Sequence, residues 1–153
     1  MAKSRQQKKD TGETPRIVGL ICNWGAYSGV DSAGVNKLVY PASINLVRLP
    51  CLGRLHLGLI LRAFELGAAG VLLLGCPPEL CHYESGMVKA KEVFAQAEKV
   101  LRLLGIAPGR LALVEVPAGG GDHVARKISA FIKRINQAGL RQAPAAKKVA
   151  SPV

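Results

Sequence analysis

Four cysteines, at positions 22, 51, 76 and 81, are the side chains in this sequence best suited to chemistry. Cys76 and Cys81 stand five apart in "GCPPELCHYESG", with Pro77 and Pro78 stiffening the loop between them and His82 following directly. Cys22 and Cys51 are single and distant. Thiolates are soft ligands, so four of them brought to one place suit zinc or an iron–sulfur cluster. Structural zinc usually rests on two short Cys-x-x-Cys knuckles. One Cys-x4-Cys with two remote single cysteines is closer to the split ligand pattern of some 2Fe–2S proteins. The spacing therefore favours the cluster and leaves zinc open. The bland alternative is four inert cysteines packed as small hydrophobes.

Whether the four meet depends on the elements that carry them. "RIVGLIC" (16–22), "INLVRLPC" (44–51), "GVLLLGC" (70–76) and "RLALVEVPA" (110–118) read as strands, the third apolar throughout, as a strand buried on both faces should be. Helical patterns alternate with them over 28–39, 57–68, 86–105 and 121–139, with Ser28 or Asp31 offered as the first N-cap and Gly67 and Gly105 as stops. This alternation predicts an α/β fold: one small flavodoxin-like or Rossmann-like parallel sheet of about four strands flanked by helices. In the order 2-1-3-4, Cys22, Cys51 and Cys76 end three neighbouring strands at the carboxyl edge, where such sheets place their sites. Strands ~4.8 Å apart bring these three thiols within about 10 Å, and Cys81 can fold back over them. Scattered structural cysteines would not share one edge.

The rest of the composition narrows the function. The chain has 153 residues, 49% of them hydrophobic, enough for one core. The N-terminus is polar and no uncharged apolar run approaches about 18 residues, so neither a signal peptide nor a membrane span is expected, and the expected location is the reducing cytoplasm. Of the net charge of +11, residues 16–140 carry +6; residues 1–15 (+2) are expected to form a basic flexible tail and 141–153 (+3) a disordered basic one. Lys and Arg form no stripe interleaved with aromatics, so specific nucleic-acid binding is not expected. No Ser-His-Asp or paired-carboxylate arrangement stands out, and no substrate turnover by this chain alone is expected. "AGGGDHVA" (118–125) lacks the Lys-Ser/Thr of a phosphate loop and reads as a turn capped by Asp122.

The stretches "CNWGAYSGVDSAGV", "VRLPCLGRL" and "GVLLLGCPPELCHYESGMVKA", in that order, resemble the delta subunit of methyl-viologen-reducing hydrogenase over about residues 16 to 139. The resemblance implies a 2Fe–2S electron carrier that is not itself catalytic. It would work between a hydrogenase or dehydrogenase module and the flavin-containing subunit of a heterodisulfide reductase-type complex. The alternative function is a cluster-free or zinc-stabilised adaptor docking in the same complex. Two departures bear on the site. The family's first motif reads Cys-Asn-Trp-Cys, and here its fourth position is Gly25; the family has Gly-Asp before the last cysteine, and here Glu79-Leu80 stand there. With four cysteines left, all-thiolate ligation implies Cys22, Cys51, Cys76 and Cys81 together, with His82 as the substitute ligand. Trp24 and Tyr27 are candidates for shielding a cluster, His82 and Tyr83 for donating to its sulfurs, and Arg54, ahead of His56, for offsetting its charge.

Overall fold

The computed structural model describes residues 15–139. The expected basic tails, Pro15 apart, lie outside the described residues. The chain runs β1 (Ile17–Cys22), α1 (Gly25–Val35), β2 (Ile44–Leu49), α2 (Leu57–Glu65), β3 (Gly70–Gly75), α3 (Gly86–Leu103), β4 (Leu111–Glu115) and α4 (Gly121–Gln137), with 3-10 turns at Leu52–Arg54 and Pro78–Leu80. All four strands are parallel and stand in the order β2-β1-β3-β4. This is the α/β sheet the sequence predicts. Among the described residues no helix is long and apolar enough to cross a membrane.

The reversal of strand order puts the helices on two faces, because parallel crossovers are right-handed in either direction. α1 packs with α4, and α2 with α3. Val71, Leu72, Leu73 and Leu74 of β3 have no exposed surface, consistent with layers on both sides, and Ile17, Ile21, Ile60, Met87 and Ile128 close over them. Gly67 and Gly105 end α2 and α3 with φ of 89° and 73°, in the left-handed region a glycine enters without penalty. After α2, the Gly67 N–H donates to the Phe64 carbonyl (2.9 Å) and the Ala68 N–H to the Ala63 carbonyl (3.0 Å), closing a Schellman motif.

The first helix differs from the sequence reading. It starts at Gly25 instead of Ser28 and ends at Val35. The same terminating pair forms there, Lys37 N–H to the Gly34 carbonyl and Leu38 N–H to the Ala33 carbonyl, but the left-handed residue is Lys37 (φ 54°). A lysine gives no stop signal. Neither Ser28 nor Asp31 caps this helix; the Ser28 hydroxyl donates to the Gly25 carbonyl (2.9 Å) and accepts from the Gly119 N–H (3.1 Å). Asp122 likewise does not cap: Gly120 is the N-cap of α4, and Asp122 pairs with Arg126 at 2.9 Å within the helix. The glycines before α4 serve contact between helices, since a Cβ on Gly121 would stand 2.7 Å from the Ala33 nitrogen.

At the amino edge of the sheet, Arg110 is buried with no carboxylate partner among the described residues. It donates from Nε to the Ala69 carbonyl (2.7 Å) and from a terminal nitrogen to the Ala68 carbonyl (2.9 Å), with Phe64 5.3 Å away. Burial pulls its pKa down from the ordinary guanidinium value. Its role is to hold the α2–β3 connection.

Candidate metal centre

The register carries Cys22, Leu49, Gly75 and Glu115 to one level at the carboxyl edge. Cys22 closes β1 and Cys76 follows β3 immediately, and β1 and β3 are neighbours. Their thiols stand 3.9 Å apart, Sγ to Sγ, both buried. Cys51 lies two residues past β2 and caps the first 3-10 turn, its Sγ accepting from the Gly53 N–H at 3.3 Å. Cys81 closes the second 3-10 turn.

These two loop cysteines meet at the start of α3. A Cβ built on Gly86 would press on the sulfurs of both Cys51 and Cys81, 3.0 Å from the latter, so the pair occupies space that only a glycine leaves. Gly53 comes equally close from the other loop, where a Cβ would stand 2.9 Å from the Gly86 Cα. All four predicted cysteines are thus buried together, as two pairs: Cys22 with Cys76, and Cys51 with Cys81. The Cys76 and Cys81 thiols interact across the pairs. Among the described residues, no three His, Cys, Asp or Glu side chains surround a single metal position.

The electrostatics of the thiols diverge. Burial, then the neighbouring Cys22, push the Cys76 thiol up to about 12. Burial also raises Cys51, against the opposing Gly53 N–H. For Cys81 burial acts upward too, but the N–H groups of Tyr83, Met87 and Gly86 outweigh it and hold the thiol below its ordinary value. Gly86 and Met87 open the 18-residue helix α3, so the Cys81 sulfur sits at the positive end of a long helix dipole. Cys22 receives the Ala26 N–H of α1 at 3.5 Å, and Cys76 the His82 N–H. Every sulfur therefore has at least one backbone donor, and such donors stabilise thiolate over thiol.

Above the pairs, the Trp24 and His82 rings stack at 3.7 Å and 18°, and Tyr83 meets His82 edge-on at 4.9 Å. Trp24 and Tyr83 remain 43% and 50% exposed, so this is a partial cover open to contact. His82 turns its backbone N–H toward Cys76 and lays its ring on Trp24. Tyr27 is not part of the cover: Arg48 lies 4.4 Å over its ring, at the β2 side. Arg54 shares a cavity with Cys51, whereas His56 is the exposed N-cap residue of α2. At Gly25, a Cβ would fall 2.9 Å from the Cys76 Cβ and 3.3 Å from the Val116 carbonyl oxygen, so α1 starts too close to β3 for any side chain. Sequence reasoning missed Gly53, Gly86 and the amide donors; the glycines of "CLGRL" and "YESGM", two residues after Cys51 and five after Cys81, were the available signal.

Comparison with known proteins bears on this site. The family model for the delta subunit of methyl-viologen-reducing hydrogenase matches residues 17–139. The iron–sulfur subunit of the vhc F420-non-reducing hydrogenase of Methanococcus voltae is 41% identical over 108 residues, 71% of this chain and 75% of the relative. The iron–sulfur subunit of the F420-non-reducing hydrogenase of Archaeoglobus profundus is 37% identical over 125 residues, 82% of this chain and 91% of the relative. One subunit of the ferredoxin/F420H2-dependent CoB-CoM heterodisulfide reductase of Methanosarcina acetivorans is 31% identical over 139 residues, 91% of this chain. This chain spans only 18% of that relative's length.

Proposed function

Because the chain belongs to the methyl-viologen-reducing hydrogenase delta-subunit family, we propose that it is a 2Fe–2S electron-transfer subunit. It relays electrons between a hydrogenase or dehydrogenase module and a heterodisulfide reductase-type flavin and iron–sulfur subunit. The observation that carries this reading is the burial of four thiols together at one sheet edge, with the Cys22 and Cys76 sulfurs 3.9 Å apart and those of Cys51 and Cys81 both against Gly86. A 2Fe–2S cluster takes two protein ligands on each iron, whereas one zinc ion takes all four around a single point. Two thiolates on one tetrahedral metal at ~2.3 Å stand about 3.8 Å apart, and Cys22 and Cys76 already stand 3.9 Å apart.

The residues fit the group in three further respects. The donor set is all thiol, each with a backbone N–H to stabilise the anion. Gly86 leaves open the space against which the loop pair rests. A Cβ at position 25 would crowd the Cys76 Cβ and the Val116 carbonyl, which favours the four cysteines present as the ligand set. When bound, such a cluster supplies reversible one-electron transfer. The chain's own residues hold it at the sheet edge, set its potential through the amide donors, and exclude water partially through Trp24, His82 and Tyr83. Partner choice rests on the relatives: one that is named as part of a heterodisulfide reductase carries a segment like this chain within its own polypeptide. Others are named as hydrogenase subunits. Iron and acid-labile sulfide analysis of anaerobically purified protein tests the reading. About two of each per chain is expected; zinc, or no metal after reconstitution, would instead support the adaptor.

A further inference from the structure

Two of the four cysteines line cavities, Cys76 one and Cys51 another. One, of about 400 Å³, has Cys76, Trp24, Leu80 and His82 in its wall. The other, of about 380 Å³, opens at Cys51 between Arg54, Tyr83, Ser85, Gly86 and Lys89. Its lining holds two cations and no carboxylate. Arg54 and Lys89 are exposed, and the ion pairs among the described residues, Arg62–Glu65, Lys91–Glu115 and Arg126–Asp122, all lie elsewhere.

Two unpaired like charges facing one cavity repel each other and project their field out of its mouth. An anionic group entering between them removes that repulsion. We propose that this cavity receives an acidic segment of a partner subunit, whose carboxylates pair with Arg54 and Lys89 and so bring the partner's redox group to the Cys51 side of the site. Long-range attraction speeds encounter, and the two cations then fix orientation. The aromatic cavity at Cys76 stays uncovered, so the chain keeps a second face while the first is docked. The choice of a redox subunit as the source of the segment rests on the relay reading; the recognition itself does not need the cluster.

The probe is a fluorescein-labelled hexaglutamate peptide, titrated by anisotropy against the full chain at about 20 mM and about 200 mM salt. The charge-matched comparison sets Arg54→Gln with Lys89→Gln against Lys127→Gln with Lys133→Gln, the latter two exposed on α4. The expected result is weakening by about tenfold or more for the cavity pair and less than about twofold for the α4 pair. Carbodiimide coupling should attach the wild-type peptide at Lys89. Equal weakening in both pairs would mean general attraction to a +11 chain and would overturn the proposal. So would unchanged binding with a shifted midpoint potential in the loaded cavity variant, which would assign the cations to the cluster alone. Failure to load iron would sink the relay reading without touching this result.

Discussion

Gly86→Ala separates the site from the fold with a single methyl group. At this position the new Cβ would stand 3.0 Å from the Cys81 sulfur and closer still to that of Cys51, while the nearest backbone atom, the Gly53 nitrogen, lies 3.7 Å away. The collision is therefore with the two thiols and not with the chain. Relief to an ordinary contact of about 3.5–4.0 Å moves the Cys81 sulfur by at least half an ångström, more than the roughly 0.2 Å by which metal–ligand distances vary. Stability should change little. Alanine is worth up to about 1 kcal/mol over glycine in a helix, and local overpacking costs about 1–3 kcal/mol, so the net is a melting shift of a few degrees. Iron and sulfide after anaerobic reconstitution, visible absorption, far-ultraviolet dichroism and a thermal melt measure both sides. We expect iron well below half of wild type on a native helical spectrum. Full iron with an unchanged reduced-state spin-resonance signal would refute the placement of Cys51 and Cys81 as a ligand pair at this glycine.

Serine at any one of Cys22, Cys51, Cys76 or Cys81 should sharply reduce iron content, and a variant that kept full iron and spectrum would remove its cysteine from the ligand set. Gly25→Cys restores the motif of the family yet puts a Cβ 2.9 Å from that of Cys76, so it should lower iron loading; higher loading would show that α1 yields to admit a ligand. Arg110→Met deletes two hydrogen bonds to buried carbonyls far from the thiols and should cost about 2–4 kcal/mol in denaturant unfolding without changing iron stoichiometry. In metal-free protein, alkylation needs thiolate: Cys81, held below the ordinary value, should react at lower pH than Cys76, which loses its proton only near 12, and peptide mapping in the reverse order would contradict the amide-donor account.

What the sequence could disclose and what it could not divide along one physical line. Strand period, helix period and glycine stops are local, and from them came four strands; the order 2-1-3-4 came from the flavodoxin-like fold class, and with it the convergence of Cys22, Cys51 and Cys76 on one edge. Where a local signal was missing the reading slipped, as at α1, whose end is a left-handed Lys37. The pairing of the thiols was not legible because Cys51 and Cys81 stand in loops, two residues past β2 and six past β3. β1 and β3 are hydrogen-bonded neighbours, so their register alone nearly dictates that Cys22 and Cys76 meet. Cys51 and Cys81 meet only because Gly53 and Gly86 let the two loop backbones approach closer than any Cβ would allow. That approach joins glycines 33 positions apart, and no periodicity encodes it. It also makes the site unequal: one pair is held by the sheet, the other by two missing side chains at a helix start. A methyl group at Gly86 therefore meets both loop sulfurs directly, whereas the strand side is reached only through the Cys76 Cβ, from the start of α1 at Gly25.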